Sequence, residues 1–176
     1  MKPQIILLNG TSSSGKTSLT KALQQILPEP YFHVCIDSFE EMMPPRLGHS
    51  DSARGAQVLG AALSAMNCAI SSLASAGENI IVDHVLIEGE KPLSWVPMLL
   101  SAIKPYVVLY VKVYAPVEVL QRRESARGDR PRGLAEWQST RMHTAFSYDL
   151  EIETSALAPT EAARIILNYI QQSSAD

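Results

Sequence analysis

Short, nearly unbroken apolar runs alternate along this chain with longer segments whose apolar positions recur every three or four residues. The short runs predict strands near 4–9, 31–36, 79–83, 106–113 and 149–153, and the longer ones predict helices at 15–27, 52–76, 90–103, 115–127, 133–145 and 159–173. Ile5 to Leu8, Ile80-Ile81-Val82 and Val107 to Val111 leave almost no polar position, as parallel strands covered on both faces require. They belong in the middle of a sheet. In the first helical segment Leu19, Leu23, Ile26 and Leu27 share a face until Pro28 stops the run, and the last opens with Pro159-Thr160-Glu161, a good helix start. Strict β-then-α alternation implies a doubly wound α/β fold: a mainly parallel five-stranded sheet, helices on both faces, and ligands at the carboxyl ends of the strands.

Composition narrows the setting. With 176 residues, 46% of them hydrophobic, and a formal net charge of -3, the chain is expected to fold as one domain, 1–176, with a real core. Cys35 and Cys68 have no metal-ligand spacing and give no disulfide framework, which suits a reducing cytoplasm. No signal core and no bilayer-length apolar run stand out in the sequence, so no membrane role is expected. An acidic balance, with a pI of about 5.8, argues against nucleic acid as the main partner. Oligomeric state leaves no mark.

One motif carries most of the chemistry. Gly10-Thr11-Ser12-Ser13-Ser14-Gly15-Lys16-Thr17 is a complete G-x-x-x-x-G-K-[ST] loop, directly after the first predicted strand and opening the first predicted helix. Such a loop turns backbone N–H groups toward phosphate, its lysine reaches the β- and γ-phosphates, and its hydroxyl serves Mg²⁺. A nucleoside triphosphate, ATP with Mg²⁺, is the expected ligand.

The same topology makes residues at the other strand ends suspects. Asp37, after the second strand, is placed to accept the proton of an attacking hydroxyl; alternatively Asp37 or Ser38 caps a short helix, since Ser38 and Glu41 have capping-box spacing. Asp83 ends the apolar run Ile80-Ile81-Val82 and suits a magnesium site beside Thr17. His84 either touches substrate or only closes the strand, while His33, His49 and His143 read as structural or exposed. Five arginines lie between Arg122 and Arg132. A charge run is usually a solvated face, but arginine at every basic position there favours phosphate recognition by a segment near 123–133 that closes over the nucleotide.

Together these stretches resemble chloramphenicol phosphotransferase. The resemblance rests on Ile6 to Thr17, Leu27-Pro28-Glu29-Pro30, Asp37-Ser38 with Met43-Pro44, Ile80 to Asp83, Arg123 to Arg130 and Tyr148 to Thr154, and so spans essentially the whole chain. It implies the nucleotide-kinase-like fold of the P-loop nucleoside-triphosphate hydrolases and an ATP-dependent kinase acting on an antibiotic hydroxyl. It implies Asp37 as base, Lys16 and Thr17 on phosphate and Mg²⁺, Arg127 and Arg130 over the phosphates, and Arg123 against the adenine.

The chain departs from that pattern between Pro45 and Gln57, where Arg46, His49 and Arg54 bring basic groups that a largely apolar antibiotic does not need. The acceptor is thus a small-molecule hydroxyl, either that of chloramphenicol or a related antibiotic, or that of a nucleoside, nucleotide or other hydroxylated metabolite. A nucleotide-binding regulatory or toxin-like protein is the reading outside enzymology. Met42, Met43, Leu86 and Trp95 are candidates for an apolar pocket wall, although Met and aromatic residues in such segments are more often core.

Overall fold

The structure is a computed structural model, and it describes residues 4–44, 52–87, 95–127, 132–142 and 147–173. Five strands, β1 (Ile5–Asn9), β2 (Tyr31–Cys35), β3 (Asn79–His84), β4 (Val108–Tyr114) and β5 (Leu150–Glu153), form one sheet in the order β2-β3-β1-β4-β5. Every pairing is parallel. Around it lie α1 (Lys16–Ile26), α2 (Ile36–Glu40), α3 (Ala53–Ser75), α4 (Trp95–Ile103), α5 (Val117–Arg127), α6 (Leu134–Ser139) and α7 (Pro159–Ser173). The expected doubly wound architecture is therefore the one observed.

Alternating side chains of the central strand feed two cores. Ile6 and Leu8 pack with Leu19 and Leu23 of α1 and Ile166 and Ile170 of α7. Ile5 and Leu7 pack with Met66 and Ile70 of α3 and Leu99 and Ile103 of α4. All five residues of β1 are buried, which explains the missing polar alternation. α3 is long and apolar enough to cross a membrane by length and composition, contrary to the sequence reading, yet its stripe of Leu63, Met66, Ile70 and Ala74 is buried in the protein.

Boundaries moved where backbone conformation, rather than a capping side chain or periodicity, sets them. Ser38 does not cap a helix: α2 starts at Ile36 after Cys35, and Ser38 lies inside it with its Oγ 3.2 Å from Cys35 Sγ. The backbone leaves the extended conformation directly after Cys35 (φ -134°, ψ 152°), so no residue remains for Ser38 to cap. The helix expected at 133–145 is observed as Leu134–Ser139, with Thr140 at its C-cap, and residues 143–146 lie outside the described residues. The start expected at 90 likewise lies outside them, as does Pro45 to Asp51 with Arg46 and His49.

The two motif glycines answer different constraints. Gly15 sits at φ +97°, a left-handed turn that L side chains rarely adopt. Gly10 is needed for closeness, because a Cβ there would lie 2.1 Å from the Val113 carbonyl oxygen of β4 and 2.7 Å from Ser14 Oγ. Backbone oxygen in a central strand cannot move aside. Gly10→Ala is expected to destabilise by about 2–3 kcal/mol, the scale of core overpacking, seen as a fall of roughly 5–10 °C in melting temperature; an unchanged melting curve would refute this close approach.

Candidate active site

Parallel register brings the carboxyl ends of β1, β2 and β3 to one edge. Asn9 pairs with His84, and Cys35 with Asp83. The chain after β1 turns through the glycine-bearing loop into α1, so Lys16 and Thr17 open that helix beside Asp83. Thr17 Oγ1 donates to Asp83 Oδ2 at 2.8 Å, Lys16 Nζ lies 3.8 Å from Oδ1, and His33 Nε2 lies 3.5 Å from Oδ2. Lys16 Nζ also donates to the Thr11 carbonyl at 2.9 Å. Asp83 is only 5% exposed. Burial alone would push its carboxyl up, but the charge of Lys16, the His33 imidazole 3.5 Å away and the hydrogen bond from Thr17 outweigh that and hold it below the usual carboxylate range.

Both neighbouring histidines are displaced, in opposite directions. Its approach to the Asp83 carboxylate at 3.5 Å, followed by its interaction with Cys35, raises His33 to about 9. His84 is 2% exposed, and burial, aided by the charge of Lys16, lowers it to about 4; its Nδ1 accepts from the Val85 amide at 2.7 Å. Cys35, hydrogen-bonded to His33, is shifted downward.

A cavity of about 500 Å³ opens along this edge. Ser12, Ser13, Gly15, Lys16 and Thr17 floor it, Asp37, Asp83 and His84 form one side, and Arg123, Arg127 and Thr154 stand on the other. Gly10, Thr11 and Ser14, the remaining residues of the loop, do not line it. The buried hydroxyls of Thr11 and Ser13 have no hydrogen-bond partner among the described residues, which fits a loop built to receive an anion. Arg123 is anchored: its guanidinium donates to the Thr154 carbonyl at 2.6 Å, to Thr154 Oγ1 at 2.9 Å and to the Ser13 carbonyl at 3.3 Å. Thr154 Oγ1 donates in turn to the Ser14 carbonyl at 2.7 Å. Arg127 is exposed at the end of α5, and Arg130 lies outside the described residues. Leu86 belongs to the core and Met42 is 69% exposed; neither lines the cavity.

Three participants escaped the sequence reading. His33, set aside as structural or exposed, reaches Asp83 only because β2 and β3 are neighbours. Thr154 follows β5 directly, so the rule that singled out Asp37 would have found it. Gln138, whose Oε1 accepts from the Ser12 amide at 2.6 Å, carries no sequence signal.

Residues 3–171 match the model of the family described as chloramphenicol phosphotransferase-like protein. The chain is 32% identical over 182 residues to a protein of Mycobacterium tuberculosis H37Rv named "putative O-phosphotransferase", with 92% of this chain and 79% of that protein covered. In fold it is similar to the shikimate kinase of Acinetobacter baumannii, solved with shikimate, at TM-score 0.67 and 18% identity over 98% of this chain and 95% of the other. It is also similar to the APS kinase of Mycobacterium tuberculosis, solved with AMPPNP and APS, at TM-score 0.66 and 14% identity over 97% and 98%.

The two histidines set opposite limbs of stability against pH. His33, raised to about 9, contributes fully below its unfolded value near 6.5, and that contribution is lost as pH climbs from there through 9. His84, lowered to about 4, costs nothing above 6.5 and destabilises increasingly as pH falls toward 4. Urea unfolding at pH 6 and pH 9 is expected to show a loss of about 2–3 kcal/mol on the alkaline side that His33→Gln removes; an equal slope in the variant would overturn the His33–Asp83 coupling.

Proposed function

The chain belongs to the chloramphenicol phosphotransferase-like family, and from that premise we propose that it is an ATP-dependent O-phosphotransferase acting on a small-molecule hydroxyl. The observation that carries this reading is that Lys16, Thr17, Asp83 and Asp37 line one cavity around the phosphate loop. ATP lies with its phosphates on the loop amides, Lys16 leaving the Thr11 carbonyl for a phosphate oxygen. A charged oxygen is the better acceptor.

The Thr17 hydroxyl and the Asp83 carboxylate, 2.8 Å apart, are the oxygen donors that magnesium prefers, and the ion takes few protein ligands when phosphates supply the rest. The residues present therefore fit Mg²⁺. When bound, it neutralises charge on the transferring group.

Asp37, in the first turn of α2 and half-buried, takes the acceptor proton. The hydroxyl oxygen forms its bond to the γ-phosphorus as the bond to the bridging oxygen breaks, ADP leaves with that electron pair, and the proton stays on Asp37. Arg127 faces the charge spread over the transferring phosphoryl, and by its motif Arg130 joins it. The family resemblance supports chloramphenicol or a related antibiotic as acceptor.

Asp37→Asn is expected to lower the transfer rate by about 10²–10⁴, the range for a lost general base, while ATP affinity stays within about threefold. The measurement is product formation by mass spectrometry over chloramphenicol and a panel of hydroxylated metabolites, with ATP binding by calorimetry. Transfer at the wild-type rate would remove Asp37 from the base role.

A further inference from the structure

The order of the sheet separates the two ends of the cavity. Asp37 and Asp83 follow β2 and β3 on one side of the order β2-β3-β1-β4-β5, the phosphate loop follows β1, and Thr154, Leu157 and Pro159 follow β5 on the other side. A triphosphate whose γ-phosphate faces Asp37 from the loop therefore leaves its nucleoside at the β5 end. Among the described residues, the wall there is formed by Ala126 of α5, Leu157, and Pro159 and Ala162 of α7, with Arg123 and Thr154 beside them. The first four offer only hydrocarbon side chains.

The polar groups at this end are committed to the protein. Arg123 Nη1 donates to the Ser13 carbonyl and to Thr154 Oγ1, and Nη2 donates to the Thr154 carbonyl. Thr154 gives its amide to the Tyr114 carbonyl at 2.9 Å and its hydroxyl hydrogen to the Ser14 carbonyl at 2.7 Å. The Ser155 hydroxyl donates to Glu153, and the Ala158 amide donates to Glu161 Oε2 at 2.8 Å. Pro159 has no N–H to give. Guanidinium hydrogen bonds lie in the plane of the group, so anchoring its edge leaves the flat face of Arg123 for a ring to stack on. Stacking tolerates any base, because every base has a π-face. Telling a 6-amino purine from a 6-oxo purine takes a hydrogen-bonding group aimed at that edge.

We propose that the donor site binds purine nucleoside triphosphates by the face of the ring and not by its edge, and so takes GTP as readily as ATP. This rests on the reading that the loop binds a nucleoside triphosphate.

Calorimetry with AMPPNP, GMPPNP and inorganic tripolyphosphate, each with Mg²⁺, is run on wild type and on Leu157→Ala, the variant being checked for a native circular dichroism spectrum. Wild type is expected to bind the two nucleotides within about tenfold of each other, where a hydrogen-bonded edge would separate them by about 10⁴-fold. Leu157→Ala is expected to weaken both nucleotides by about fivefold, the scale of a methylene withdrawn from an apolar contact, and to leave tripolyphosphate, which has no base, unchanged. A merely structural residue would weaken all three ligands. A wild-type ratio above about tenfold, on the same scale of discrimination, overturns the proposal and leaves the triphosphate reading standing. A variant loss that is absent, confined to one purine or shared by tripolyphosphate does the same. Should the variant lose its native spectrum, the wild-type ratio alone decides. A wild-type protein that binds neither nucleotide overturns the triphosphate reading as well.

Discussion

A single buried carboxylate organises this edge of the molecule. Asp83 is removed from water at the end of β3 and stays charged because Lys16, Thr17 and His33 converge on it from α1 and β2. Burying an ion costs several kcal/mol unless its partners are close and hydrogen-bonded. The strand order thus becomes a chemical requirement, since β2 must lie beside β3 for His33 to help and β1 must lie beside β3 for the loop to deliver Lys16 and Thr17.

Rigidity behind the loop comes from a second set of contacts. Thr154 and Arg123 hold the Ser13 and Ser14 carbonyls from β5 and α5. Asn9, immediately before the loop, donates to the Tyr148 hydroxyl at 2.7 Å and accepts from the Leu86 amide at 2.9 Å. The end of β1 is thereby tied to the chain segments that follow β3 and precede β5. Fixed backbone around a cavity is the condition under which pre-aimed amides act on phosphate without reorganising.

Most of the fold was legible because parallel strands buried on both faces write themselves as continuous apolar runs, as Ile5 to Leu8 and Ile80 to Val82 do. Element ends were legible only where a backbone constraint marks them, as Pro28 marks the end of α1. α2 was misread because the backbone conformation at Cys35, and no capping side chain, begins it. In the site, Lys16, Thr17, Asp37 and Asp83 could be named since each sits at a fixed offset from a loop or strand end. His33 could not, because its partner lies fifty residues away on a neighbouring strand.

The sequence by itself determined the fold class, the phosphate loop and the strand-end carboxylates, for these follow from local periodicity and from motifs whose chemistry needs adjacent residues. Tertiary structure alone decided that Gly10 must lack a side chain against β4, that Arg123 is committed to Thr154, and that Gln138 occupies the Ser12 amide. Each of these depends on atoms brought within a few ångströms by folding from positions more than thirty residues apart, and no local pattern records that distance.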